Sequence, residues 1–251
     1  QTTCFTWGIC TIGWHLTSLL IILTIFFISK IDQTRIALIL GIVCATAVSF
    51  TMFQGLSIWV IGIFGLFFVN KMKKLSLLIW ILSGIIVISI YFTNYNFGIA
   101  DELLRNSEGI QANTLFTYDS IFYILQFLSN GLMVQIPQTL YLQYVFGLGI
   151  ILTIILVPLY LKLKNINIKP LVPWIQFGLY ALFGAVMLTI GRVDVVSANA
   201  SRYIAWSAFA HIAVIVISTI FLLYFYKKLK DKRKKLLFKI LISILIILLI
   251  L

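Results

Sequence analysis

Between Gly191 and Trp206 the chain reads GRVDVVSANASRYIAW, which places Arg192, Asp194 and Arg202 between two long apolar runs. An arginine offers a planar fork of donors that matches a phosphate or carboxylate. Asp194 can orient an arginine or act as a base. Asn199 and Ser201 are good N-cap types for a helix starting near Tyr203, and the free N–H groups of that first turn carry partial positive charge. Arg192, Arg202, Tyr203 and Asp194 together therefore form a candidate anion site. Next to lipid, that anion reads as the phosphate of a lipid-linked substrate. The plainer alternative has both arginines snorkelling to lipid headgroups, Asp194 pairing with one of them, and Tyr203 and Trp206 serving as interfacial aromatics.

What must position these residues follows from composition. Of the 251 residues, 62% are hydrophobic and 10% charged, and the mean hydropathy is +1.10, more apolar surface than one water-soluble core can hide. The expected class is an all-α polytopic transmembrane helix bundle, with residues 1–251 forming a single transmembrane domain. Because a helix needs roughly 20 apolar residues to cross, spans are expected at 11–29, 75–92, 141–161, 170–190 and 203–226. Residues 36–69 are too long an apolar run for one span and are expected as two antiparallel helices turning at Gln54-Gly55. A further run from Leu236 would make about eight spans, the last one truncated. Residues 121–135 are short for a crossing and contain Asn130-Gly131, so a re-entrant or interfacial helix is expected there. The chain opens at Gln1 and closes inside an apolar run, which reads as a fragment of a longer protein.

This division sorts the basic residues. Sixteen of the nineteen lysines and arginines fall on one face, and only Arg105, Arg192 and Arg202 on the other. The lysine-rich loops are therefore expected in the cytoplasm and the N-terminus outside the cell membrane, together with an outer loop at 94–120 and an outer hairpin at 191–202. Since the net charge of +12 sits in breaks between apolar runs, membrane lipids are the expected partners and nucleic acid is not.

Other chemistry-bearing residues are few. Cys4, Cys10 and Cys44 have no metal-ligand spacing, although Cys4 and Cys10 could pair. His15 and His211 lie inside spans, where a histidine can mark a proton path or hydrogen-bond a neighbouring helix. Asp101, Glu102, Glu108 and Asp119 fall on the outer side as catalytic or merely solvated acids. No phosphate loop, metal-spaced cluster or nucleophile triad is present, and no cofactor or metal is expected.

The stretches FTWGICTIGWHLT, SFTMFQGLSIWVIGIFGLF, WILSGIIVISIYFTNY and GRVDVVSANASRYIAW, in that order, resemble the C-terminal half of a group of bacterial polytopic membrane proteins similar to GT-C type glycosyltransferases. The most specific part is Gly191-Arg192 with Ser201-Arg202-Tyr203. The resemblance implies a helix bundle that uses a polyprenyl-phosphate sugar donor at the outer face. It also implies a catalytic acid in a large outer loop upstream of Gln1, so no catalytic residue is carried over. The segment after Arg192 departs from the pattern, with Asp194 and valines in place of a more glycine-rich stretch. A transporter or flippase of lipid-linked saccharide, or a membrane protein without a catalytic role, fits the same residues.

The assignment of sides is open to a direct test. In a background lacking Cys4, Cys10 and Cys44, single cysteines at Ser107 and Lys230 should react with a membrane-impermeant thiol reagent from opposite sides; labelling from the same side overturns the map.

Overall fold

The computed structural model describes residues 2–69, 74–93, 118–130, 140–192 and 203–228. They form eight α-helices and no strand. α1 is Thr2–Lys30, α2 Arg35–Thr51, α3 Ser57–Val69, α4 Lys74–Thr93, α5 Tyr118–Ser129, α6 Leu140–Leu163, α7 Val172–Arg192 and α8 Ile204–Lys228. Five of them (α1, α4, α6, α7 and α8) are long and apolar enough to cross a membrane, which fits a multi-pass membrane protein. The run expected from Leu236 lies outside the described residues, as does nearly all of the 94–120 loop.

The divided run at 36–69 behaves as expected, with one refinement. The chain leaves α2 at Met52, makes a 3-10 turn over Phe53–Leu56 and re-enters helix at Ser57. At 17 and 13 residues, α2 and α3 are about 26 and 20 Å long, shorter than the five long helices. Glycine is required in this turn, because a Cβ at Gly55 would overlap the Val48 carbonyl. α1 begins at Thr2, nine residues before the expected start, since FTWGIC is apolar and carries no breaker that would end a helix. Cys4 and Cys10 thereby fall on one continuous helix, about 9 Å apart along its axis.

Small residues let the helices approach closely, as expected where no water drives association. Trp59 of α3 lies against Gly84 of α4, and Trp80 of α4 lies against Gly62 of α3. The two indoles meet at 4.9 Å between ring centroids. Both of their N–H groups are satisfied inside the bundle. The Trp59 indole N–H donates to Ser49 Oγ of α2 at 2.9 Å, and that of Trp80 donates to the Trp59 carbonyl at 2.9 Å. Gln176 of α7 is fully buried beside Gly65 and donates to the Ile61 carbonyl of α3 at 3.2 Å.

A second apolar cluster, around Leu161, Leu171, Ile175, Ala213 and Ile217, gathers the end of α6, the start of α7 and the later turns of α8. Lys162 stands over the Phe68 ring of α3 at 4.8 Å, so α3 ends here too. We refer to this as the lysine end. α6 closes on Asn165 in the left-handed region, φ 55°, with Ile166 N–H bonded back to the Leu161 carbonyl at 3.0 Å. Every described Lys, Arg, Asp and Glu lies at or beside a helix end, and none lies mid-helix.

Gly62→Ala should be strongly destabilising, because its Cβ would overlap the Trp80 ring. We expect a loss of about 1–3 kcal/mol from overpacking. Gly149→Ala, which meets nothing within 4 Å, should be neutral or stabilising. Thermal unfolding of the purified chain in detergent compares the two, and equal melting would contradict this packing.

Candidate functional site

Three chain elements end inside the bundle. Gln54, in the α2–α3 turn, faces Gly184 of α7 across an ordinary van der Waals gap. From Val172 to Gly184 is about 18 Å along α7, and eight further residues carry α7 about 12 Å beyond it to Arg192. On α8, Phe209 stacks on Phe177 at 5.4 Å and meets Tyr180 edge-on at 5.8 Å. Since α7 and α8 pack antiparallel, Tyr203, six residues before Phe209, comes level with about Gly184.

The third element is α5, which at 12 residues is about 18 Å long and cannot cross 30 Å of hydrocarbon. It starts at Tyr118, three residues before the expected helix, where Asp119 in its first turn complements the helix dipole. Asp119 is exposed, whereas Ser129 and Asn130 are buried. Along α6, the Phe122 ring lies 4.5 Å from that of Tyr144, and the Leu125 backbone runs so close to Gly147 that a Cβ there would overlap it. α5 therefore descends beside the first turns of α6 and stops inside the bundle, as a re-entrant element does.

Two carbonyls at that buried end are met by α8. Ser207 Oγ donates to the Asn130 carbonyl at 2.8 Å, and His211 Nε2 lies 2.8 Å from the Leu128 carbonyl, where it donates. Four residues apart, Ser207 and His211 share one face of α8. This settles the choice posed for His211 in favour of interhelical bonding, whereas His15 is exposed on α1.

Of the four candidate anion ligands, the described residues include two. Arg192 is the last residue of α7, and Tyr203 immediately precedes α8. Asp194 and Arg202 lie outside the described residues, as do Asn199 and Ser201. Tyr203 is buried, at 1% exposure; its ring stacks on Trp206 at 5.7 Å and meets Phe127 of α5 at 5.7 Å. Trp206 is also buried, so both aromatics pack within the bundle and do not stand in an interfacial belt. Arg192 and the start of α8 are thus brought to the same end of the molecule but not to the same level, α7 overhanging Tyr203 by about 12 Å.

Compared with protein families, curated proteins and solved structures, the chain matches none. Among the described residues, no group of three or more His, Cys, Asp and Glu side chains could hold a metal ion.

Ser207 was missed in the sequence reading. Its signal is a polar residue in an otherwise apolar run, four positions before a histidine on the same helix face.

Ser207→Ala removes the donor to the Asn130 carbonyl and should lower stability by about 0.5–1.5 kcal/mol, the net worth of a typical hydrogen bond. Hydrogen exchange in detergent should rise in α5 and leave α2 to α4 unchanged. Uniform loss of protection, or none in α5, would refute the docking role.

Proposed function

We propose that the chain belongs to a multi-pass membrane protein that handles a lipid-linked, phosphate-bearing saccharide at the end of the bundle where α7 stops and α8 begins. Its role there is as part of a GT-C-like glycosyltransferase. In this reading, Arg192 and Arg202 hold the phosphate of a polyprenyl-phosphate sugar, the first-turn N–H groups of α8 add donors, and Asp194 orients one arginine.

The observation that supports this reading best is the offset between α7 and α8. α7 runs past the start of α8 by two turns and ends in Arg192, so its last turns flank the α8 N-terminus. In this reading the anion sits in the angle between the last turns of α7 and the start of α8, where a helix N-terminus favours negative charge. The opposite end is held by aromatic and lysine contacts such as Lys162 over Phe68.

A second reading, a flippase for the same class of lipid, draws on a different observation. The α2–α3 turn and the end of α5 both stop inside the bundle, and broken elements of that kind line substrate paths in transporters.

Full-length protein carrying Arg192→Ala or Arg202→Ala should lose roughly tenfold to a hundredfold in sugar transfer from a polyprenyl-phosphate donor, at unchanged membrane level. Transfer equal to wild type in both variants refutes the phosphate role. Translocation of the lipid without transfer favours the flippase.

A further inference from the structure

We propose that the lysine end of α6 is a binding site for an anionic phospholipid, its acyl chains lying along α6 and its phosphate between Lys162 and Lys164. One face of α6 is apolar and uncovered: Leu152, Ile155, Leu156, Leu159 and Leu163 are 44–73% exposed. Their spacing keeps them on one side of the helix. With 3.6 residues per turn, Lys162 lies about 80° round the helix from the middle of that stripe, and Tyr160 about 80° round in the other direction.

Aromatic contacts hold a cation at each edge of the stripe. On one side the Lys162 ammonium stands 4.8 Å over the Phe68 ring of α3. On the other, the Lys164 ammonium stands 5.9 Å over the Tyr160 ring, and Tyr160 packs against Phe221 and Phe225 of α8 at 5.9 and 6.1 Å. Ammonium groups kept over ring faces stay at the level where the apolar stripe ends. The connection to α7 adds to the charge: Ile166 and Ile168 pack into the second cluster, while Asn165, Asn167 and Lys169 are exposed.

The charge balance selects the headgroup. Asp32 and Asp119 are the only described acids, and neither forms an ion pair with these lysines. A phosphate complements the two ammoniums, whereas the ammonium of a zwitterionic headgroup finds no described acid here to meet it. A free phosphate would use the cations but leave the stripe of α6 uncovered, so the occupant that satisfies both is a lipid. The site lies at the opposite end from Arg192 and does not depend on the reading proposed there.

The full chain is melted in a zwitterionic detergent with phosphatidylglycerol, phosphatidylcholine or inorganic phosphate added. Phosphatidylglycerol should raise the melting temperature of wild type more than phosphatidylcholine does, by about 2–4 °C for each lysine engaged. Inorganic phosphate should leave it unchanged. Lys162→Gln/Lys164→Gln should lose most of the difference between the two lipids, and Lys162→Arg/Lys164→Arg should keep it. Lys30→Gln/Arg35→Gln, which removes the same charge at the α1–α2 connection, should keep it too. Each comparison is between lipids for one variant, so a variant that merely melts lower still reports on the site. Equal action of both lipids on wild type, inorganic phosphate matching phosphatidylglycerol, or an equal loss in the Lys30 and Arg35 variant would each overturn the proposal.

Discussion

A backbone carbonyl that ends inside an apolar bundle must find a donor there, and that requirement organises the middle of this molecule. At the end of α5, Ser207 and His211 of α8 meet the Asn130 and Leu128 carbonyls. The α2–α3 turn meets the same demand locally: Gly55 N–H donates to the Met52 carbonyl at 2.8 Å, and Ser57 Oγ donates to that of Gln54 at 2.8 Å. A buried carbonyl left without any donor would cost about 1–3 kcal/mol. α7 is the common wall, touching Gln54 through Gly184, α3 through Gln176, and α8 through Phe177 and Tyr180.

Much of the architecture was legible in the sequence because length is the variable that a membrane constrains. The runs at 75–92, 141–161, 170–190 and 203–226 become α4, α6, α7 and α8 with ends displaced by at most two residues, and Gln54-Gly55 falls in the observed turn. Less legible was how the helices face one another. Helices that are apolar all round carry no periodic stripe, so nothing in α3 or α4 announces that Trp59 seeks Gly84 while Trp80 seeks Gly62. The usable signal was weaker: glycines at 62, 65 and 84 within apolar runs mark close approach. Similarly, Asn130-Gly131 marks residues 121–135 as a re-entrant or interfacial element, but the bonds that Ser207 and His211 make to it from 77 and 83 positions away are tertiary events that no local pattern encodes.

The candidate anion site was legible in part, and the reason is physical. Charge between apolar runs is conspicuous, so Arg192, Asp194 and Arg202 stand out. The burial of Tyr203 and Trp206 does not, because an aromatic at a helix start reads equally well as an interfacial anchor or as packing. What separates the two is α5, whose Phe127 lies against Tyr203. The helix that buries Tyr203 is distant in sequence and too short to be recognised as a span.

The distribution of polar groups bears on the choice between transfer and translocation. The buried polar side chains of the interior, Gln176, Tyr180 and Trp206 among them, are neutral, and the described Lys, Arg, Asp and Glu residues stay at or beside helix ends. Such an interior can accept hydroxyls but gives a phosphate nothing to offset its desolvation, which is far larger than for any neutral group. A lipid-linked saccharide held here would therefore keep its phosphate at the Arg192 end, while only its uncharged part could descend along α7. On the proposed transferase reading the phosphate stays anchored at one face and the sugar is presented there, whereas on the flippase reading the phosphate itself would have to cross an interior in which no described charge offsets its desolvation.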